Sequence, residues 1–351
     1  MKKRFFLKAL KRILLAMLSL SLLLTGVACN DDPNTPEETT ESATIGQIIE
    51  TDSPKTENKE PEDDGRLRIL ITADVHYTYQ EIWYSVHQDV RMQHWVDSIK
   101  EEHEKNPFDL IVVAGDTSLD HWAAKGSWTK DKVSCTKQFI DKYVSQLPKD
   151  VPVFVLPGNH EQYTNAEWKA ITGNERQGSV VIGNNLFIML DNFRETLGDK
   201  YGTHPDYGMY SAPDSPVDVD FVKEQMALYP EHDVWLIAHW FQMSIQPAEF
   251  GTILRDTRVK GLFQGHSHVT TVTKLDGQYG SKSIATCGNF SYSGTQSTKE
   301  ELYNSFWGFR ELIIDPGKFA ISNYIIVKTD IEIGNASIHV PYKKTASVRF
   351  Y

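Results

Sequence analysis

Five places along the chain end an apolar run in side chains of metal-ligand type: Asp74-Val75-His76, Gly115-Asp116, Gly158-Asn159-His160-Glu161, His239, and Gly265-His266-Ser267-His268. Singly, an Asp-x-His or a lone histidine says little. Together they form an ordered set in which every member closes a β-type segment. Asp and His at positions i and i+2 project to one side of extended chain, so Asp74 and His76 can share a cation. A carboxylate has two oxygens, and Asp116 can bridge two metals about 3.5–4 Å apart, the spacing of two-metal hydrolytic sites. Gly115, Gly158 and Gly265 remove side chains where the backbone must turn sharply beside such a site. No cysteine stands among the endings. Imidazole, carboxylate and amide oxygen suit manganese, iron, zinc or nickel and disfavour a structural zinc site. Two divalent cations facing only Asp74 and Asp116 would leave a net positive hole, which attracts an anionic phosphate ester and acidifies a bridging water.

Such a site needs a frame that brings distant segments together. From Arg66 onward, short β-rich runs alternate with amphipathic helical stretches, the pattern of an α/β fold with a mostly parallel sheet. The runs that carry the endings are Leu67–Thr72, Leu110–Ala114, Val153–Leu156, 234–238 and 261–264. Open α/β sheets bind ligands at such carboxyl ends. Helical spacing is clear in Met92, Val96, Ile99 and His103, in Val133, Thr136, Ile140, Tyr143 and Leu147, and in Val222, Gln225, Met226 and Tyr229. Beyond His268 the texture turns to β-type segments at Ser283–Thr286, 309–314 and 320–327, with Asp315-Pro316-Gly317 as a turn between the last two. These predict a second sheet, which 186–190 can join. The stretch 192–219 reads as a long loop of functional type.

Charge divides the chain into three zones. Residues 1–29 carry six Lys or Arg and no acid, residues 30–65 carry twelve acids against two Lys, and the remainder must be −7 to give the total of −11. An apolar run at 13–24 follows the basic start, too short for the roughly 20 residues that cross a bilayer. It reads as a signal peptide. Gly26-Val27-Ala28-Cys29 resembles a bacterial lipobox and makes Cys29 the lipidation candidate, with ordinary cleavage or an uncleaved anchor as the alternatives. Residues 30–65, rich in Asp, Glu, Thr, Pro and Asn, cannot offset chain entropy and read as a disordered acidic tether spanning about 30–35 Å. The body, 66–351, is expected to form one domain. Its acidic balance argues against nucleic acid, and three cysteines exclude a disulfide-dense scaffold; Cys135 on a helical stripe and Cys287 in a strand read as buried thiols, with a bridge between them as the alternative that an exported location permits.

The series Asp-x-His, Gly-Asp, Gly-Asn-His-Glu, His, Gly-His-x-His resembles the calcineurin-like metallophosphoesterases over the chain from about Arg66 to at least His268. The resemblance implies a four-layer αββα sandwich, two mixed sheets flanked by helices, with a dinuclear centre at the strand ends. It implies one metal held by Asp74, His76, Asp116 and His268, and another by Asp116, Asn159, His239 and His266. His160 is implied to face the ester and protonate the leaving oxygen rather than bind metal. Purple acid phosphatases place Gly and Tyr where this chain has His76 and Leu119, so a ferric-tyrosinate centre is not expected. Asp120 is four along from Asp116 rather than the three of many cyclic-nucleotide phosphodiesterases. Only 83 residues follow His268, too few for the substrate domain of secreted nucleotidases.

The expected activity is dinuclear-metal hydrolysis of phosphate monoesters or diesters by a metal-bridging hydroxide. The alternative is a non-catalytic, surface-anchored binding or scaffold protein of the same fold. Expected partners are a small phosphate ester and, through the lipid anchor, the outer face of a bacterial cytoplasmic membrane. Substrate-contact candidates are His121 and Arg194 for phosphate, and Tyr77, Tyr79 and Trp83 for ring stacking, against surface packing as the plainer reading.

Overall fold

The computed structural model describes residues 65–78, 80–83, 86–119, 134–161, 163–193, 215–291, 306–317, 319–333 and 336–350. The predicted signal peptide, Cys29 and, apart from Gly65, the acidic tether lie outside the described residues. In chain order the elements are β1 (Leu67–Thr72), β2 (Ile82–Trp83), β3 (Val86–His87), α1 (Gln88–Lys105), β4 (Leu110–Ala114), α2 (Cys135–Lys142), β5 (Val153–Leu156) and α3 (Asn165–Thr172). There follow β6 (Gly178–Ile182), β7 (Asn185–Leu190), α4 (Val219–Leu228), β8 (Asp233–Ala238), α5 (Ala248–Arg255), β9 (Val259–Gln264), β10 (Val272–Lys274) and β11 (Ser283–Thr286). The last are β12 (Gly308–Asp315), β13 (Phe319–Ile326), β14 (Thr329–Ile333), β15 (Ala336–Val340) and β16 (Lys343–Phe350). No helix among the described residues is long and apolar enough to cross a membrane.

Two six-stranded sheets carry the fold, ordered β16-β13-β12-β1-β4-β5 and β10-β11-β9-β8-β7-β6. In the first, β1, β4 and β5 run parallel, and β12 joins the other edge of β1 antiparallel. In the second, β7, β8, β9 and β11 run parallel between antiparallel edges β6 and β10. The central strands are apolar on both faces, as strands covered on both sides must be. Leu70, Val113 and Val155 face a helical layer through Trp95, Val96 and Phe139. Their neighbours Ile69, Ile71, Val112 and Leu156 meet Phe187, Met189, Trp235 and Ile237 of the other sheet. Beyond it, Leu186, Ile188 and Leu236 pack on Val222 and Met226 of α4 and on Phe250 and Leu254 of α5. The result is the expected four layers, helices outside two mixed sheets.

Strand membership departs from the sequence reading. The five runs with polar endings do not share one sheet: β1, β4 and β5 lie in the first, β8 and β9 in the second. The segments predicted at 309–314 and 320–327 do not extend the second sheet either; as β12 and β13 they return to the first, while 186–190 and Ser283–Thr286 join the second as expected. Period-two alternation says which face a side chain takes but not which strand lies alongside. Here β12 supplies a partner for the open edge of β1, with Leu67 opposite Ile314 and Ile69 opposite Leu312. The Asp-Pro-Gly turn between β12 and β13 stands as read, with Gly317 at φ +72°.

Candidate metal centre

The ladders of both sheets continue past their strands and draw the polar endings together. Asp74 N–H donates to Gly115 C=O (3.1 Å), His76 N–H to Asp116 C=O (3.0 Å), and, in the other sheet, Gly265 N–H to His239 C=O (2.9 Å). Five of the six non-glycine residues with left-handed φ among the described residues are Asp74, Asp116, His76, His266 and His268, at +50° to +69°. Such conformations cost of order 1–3 kcal/mol each and persist only where the surroundings over-determine them. Neighbouring glycines give the room. A Cβ on Gly115 would stand 2.6 Å from His239 Nδ1, one on Gly158 2.2 Å from Asp116 Oδ1, and one on Gly265 2.6 Å from Asp74 Oδ2. The first and third of these contacts span the two sheets.

Around the buried Asp116 the ligand-type atoms converge. Its Oδ2 lies 3.1 Å from His239 Nε2, 3.5 Å from His76 Nε2 and 3.4 Å from His160 Nε2. On one side, Asp74 Oδ1 is 3.3 Å from His268 Nε2 and 3.7 Å from His76 Nε2. On the other, Asn159 Oδ1 is 3.0 Å from His239 Nε2 and 2.9 Å from His266 Nδ1. Asp74-His76-His268 and Asp116-His239-His266 are each compact enough to share one ion, and so is His76-Asp116-His160. Distance alone therefore does not set His160 apart from the ligands. The two aspartates are wholly or almost wholly buried, whereas His266 and His268 are half-buried and form the open rim.

The electrostatics call for cations here. Burial works against the charge on Asp74, but His268, His76 and His239 outweigh it and hold the carboxyl well below its usual range. Asp116 behaves alike, with His160 and His239 overcoming burial. His239 is driven up to about 10, burial being outweighed by Asp116, and His76 is also raised, against burial, by Asp116 and Asp74. Positive charge is thus drawn between two buried carboxylates. Asp74 Oδ1, moreover, is buried without a hydrogen bond. The donor set, two carboxylates, an amide oxygen and imidazoles, fits two borderline-hard divalent ions. His239 Nδ1 donates to Ala114 C=O at 2.9 Å, which turns Nε2 toward Asp116, where it would bind a cation on giving up its own proton. His160 differs: burial, reinforced by His76, His239 and His268, pushes it down to about 3 despite Asp116.

Groups that the sequence reading passed over hold these loops. Arg91 of α1 is fully buried and donates to the carbonyls of Val75, Phe290 (2.7 Å) and His76 (3.1 Å). The Trp240 indole stacks on His266 at 4.3 Å between centroids and 16° between planes. Glu161 is fully buried behind Asp116 and is pushed up to about 7 by burial and by Asp116, against its hydrogen bonds from Ser118, Gly158 and Thr117. Glu161 was visible as the last letter of Gly-Asn-His-Glu; an arginine on a helix stripe gave no signal.

All seven predicted ligands and His160 come together. Tyr77 does not join them: its ring is buried against Phe139 and Tyr143, and its hydroxyl faces Gln138, so it belongs to the core and not to a stacking platform. His121, Arg194 and Tyr79 lie outside the described residues, as does most of the 192–219 loop. Cys135 and Cys287 are buried thiols, and Cys287 is pushed up to about 12 by burial.

Comparison with known proteins adds three findings. Among solved structures, a dimetal phosphatase from Danio rerio is similar at 11% identity and a TM-score of 0.52, over 80% of this chain and 99% of that one. GAP50, the anchor in the inner membrane complex of Plasmodium, is similar at 14% identity and 0.44 over 80% and 90%. A purple acid phosphatase from yellow lupin, Lupinus luteus, is similar at 12% and 0.44 over 80% and 54%. The first of these likenesses shows a shared fold. No curated protein sequence matched the chain. Residues 67–270, the span from β1 to just past His268, match the profile described as calcineurin-like phosphoesterase. The chain belongs to the calcineurin-like phosphoesterase family.

Proposed function

We propose that the chain hydrolyses small phosphate esters, monoester or diester, with two divalent cations held around Asp116. The observation that carries this reading is that one carboxylate oxygen, Asp116 Oδ2, meets imidazoles from three separate loops. Asp74, His76, Asp116 and His268 would hold one cation, and Asp116, Asn159, His239 and His266 the other, as manganese, iron, zinc or nickel. When bound, the cations supply Lewis-acid stabilisation of the phosphoryl oxygens and an acidified water.

The protein's own groups account for the remaining requirements. His266 and His268 stand at the half-buried rim where an ester arrives, and the aspartates form the floor. His160, with its affinity for protons held at about 3, is a neutral imidazole at neutral pH. An anionic ester beside it raises that affinity. As the ester binds, His160 takes up a solvent proton at Nε2 and gives it to the departing oxygen. Trp240 and Ala114 C=O keep His266 and His239 from rotating.

The basic-apolar start, Cys29 and the acidic stretch support anchoring of this domain by lipid at the outer face of a bacterial cytoplasmic membrane, where small phosphate esters are met. The acidic net charge supports a small ester over long nucleic acid. The test is an assay of the detergent-solubilised chain, loaded in turn with manganese, zinc and iron, against paired aryl phosphate monoesters and diesters. Metal-dependent turnover of either class is expected. Two ions bound with no turnover of any ester would favour a non-catalytic binding protein instead.

A further inference from the structure

Glu161 has no part in the metal scheme, yet its buried carboxylate accepts four hydrogen bonds from the loops that form the centre. Oε2 accepts from the backbone N–H of Asp116 (3.0 Å) and of Gly158 (2.7 Å). Oε1 accepts from the backbone N–H of Ser118 (2.8 Å) and from Thr117 Oγ1 (2.9 Å). A return link runs the other way, from the backbone N–H of His160 to Asp116 Oδ1 (3.1 Å). The loops after β4 and β5 are thus tied in both directions, at a separation that only Gly158 permits, since a Cβ there would meet Asp116 Oδ1 at 2.2 Å.

We propose that Glu161 is a positioning residue: it fixes the loop carrying Asp116 so that Oδ1 is engaged by His160 N–H and Oδ2 is aimed at the point where both ligand sets meet. This rests on the reading of Asp116 as the shared ligand. The residue type follows from the donors. Three of the four are backbone N–H groups, which can only donate, so the position takes a side chain with an acceptor oxygen at both ends, as a carboxyl offers and an amide does not. A glutamine would point its NH2 at the backbone N–H of Ser118 in one orientation and at those of Asp116 and Gly158 in the other. Charge alone does not explain the arrangement, because every lone pair is aimed at a specific loop atom.

The test is the manganese-binding isotherm of the full chain in detergent, stripped by chelation, read beside the apo melting temperature and the spectrum of the spin-coupled manganese pair. Glu161→Gln should weaken manganese binding by about 10–100-fold and diminish the coupled-pair signal at equal loading. Glu161→Asp keeps the charge but not the reach and should remain weakened by about tenfold. Thr117→Val keeps both and removes one donor, and should weaken binding by about twofold to tenfold. A folded Glu161→Gln protein with the parent affinity would overturn the proposal, even with a lowered melting temperature. So would Glu161→Asp matching the parent, which would mean that charge and not geometry matters. If Glu161→Gln does not fold, unchanged affinity in Thr117→Val overturns it. A parent chain that binds two manganese ions but cleaves no ester would sink the proposed function and leave these isotherms to decide the role of Glu161.

Discussion

At the level of single residues, the centre is built by groups with one job each. His160 shares Asp116 Oδ2 with His76 and His239 but has the lowest proton affinity of the three, so its replacement separates metal holding from turnover. His160→Ala should retain two metals by elemental analysis and lose about 10²–10⁴-fold in kcat; parent-like turnover would remove it from the mechanism. Gly265→Ala places a methyl 2.6 Å from Asp74 Oδ2 and 2.5 Å from the Ala73 methyl, so it should lower metal affinity more than apo stability, read by calorimetric titration and urea unfolding. The ligand types were legible because polar residues that close apolar strands are conspicuous in a sequence. The left-handed backbone at Asp74, His76, Asp116, His266 and His268 was not: Asp and His are enriched there among non-glycine residues, but that preference is too weak to mark a single position. Tyr77 shows the converse. An aromatic beside a motif says nothing of which way its ring turns, and here it turns into the core.

Among the elements, strands were the legible part and partnership between strands was not. The runs at Leu67–Thr72, Leu110–Ala114, Val153–Leu156 and Ser283–Thr286 have the observed bounds, each a short β-type segment whose last residues are buried on both faces. Sheet assignment depends on edges that pair across more than 200 residues, as β1 and β12 do, and local pattern does not encode that. Helix α1 has a second role that its apolar stripe did not reveal. Its Arg91 donates hydrogen bonds to the carbonyl groups of Val75, His76 and Phe290 behind the first metal loop. Arg91→Met should leave those carbonyls unsatisfied and cost on the order of 2–4 kcal/mol in urea unfolding, with metal affinity falling alongside; a change under about 0.5 kcal/mol, as for a surface site, would contradict this role. Strand β11 runs directly into Cys287, whose thiol is buried and raised to about 12. At pH 8 it is therefore protonated, and alkylation mapped by mass spectrometry should find it unreactive in the folded protein and labelled after unfolding.

For the whole molecule, strand ends of both sheets meet at the centre: Asp74, His76, Asp116, Asn159 and His160 come from the first sheet, and His239, His266 and His268 from the second. Cations held between them bind only the folded arrangement, so metal should stabilise it, by about 2.7 kcal/mol when free ion exceeds the dissociation constant a hundredfold. Chelation should accordingly lower the melting temperature, and readdition restore it. The reading at this scale came from order along the chain, five endings in sequence, and the family profile over residues 67–270 agrees with it. The most direct measurement is the number of ions taken up by the metal-free chain, counted by elemental analysis after equilibration with manganese, zinc or iron. Two per chain, falling on Asp116→Ala, is the predicted result; one or fewer under every loading condition would contradict the account.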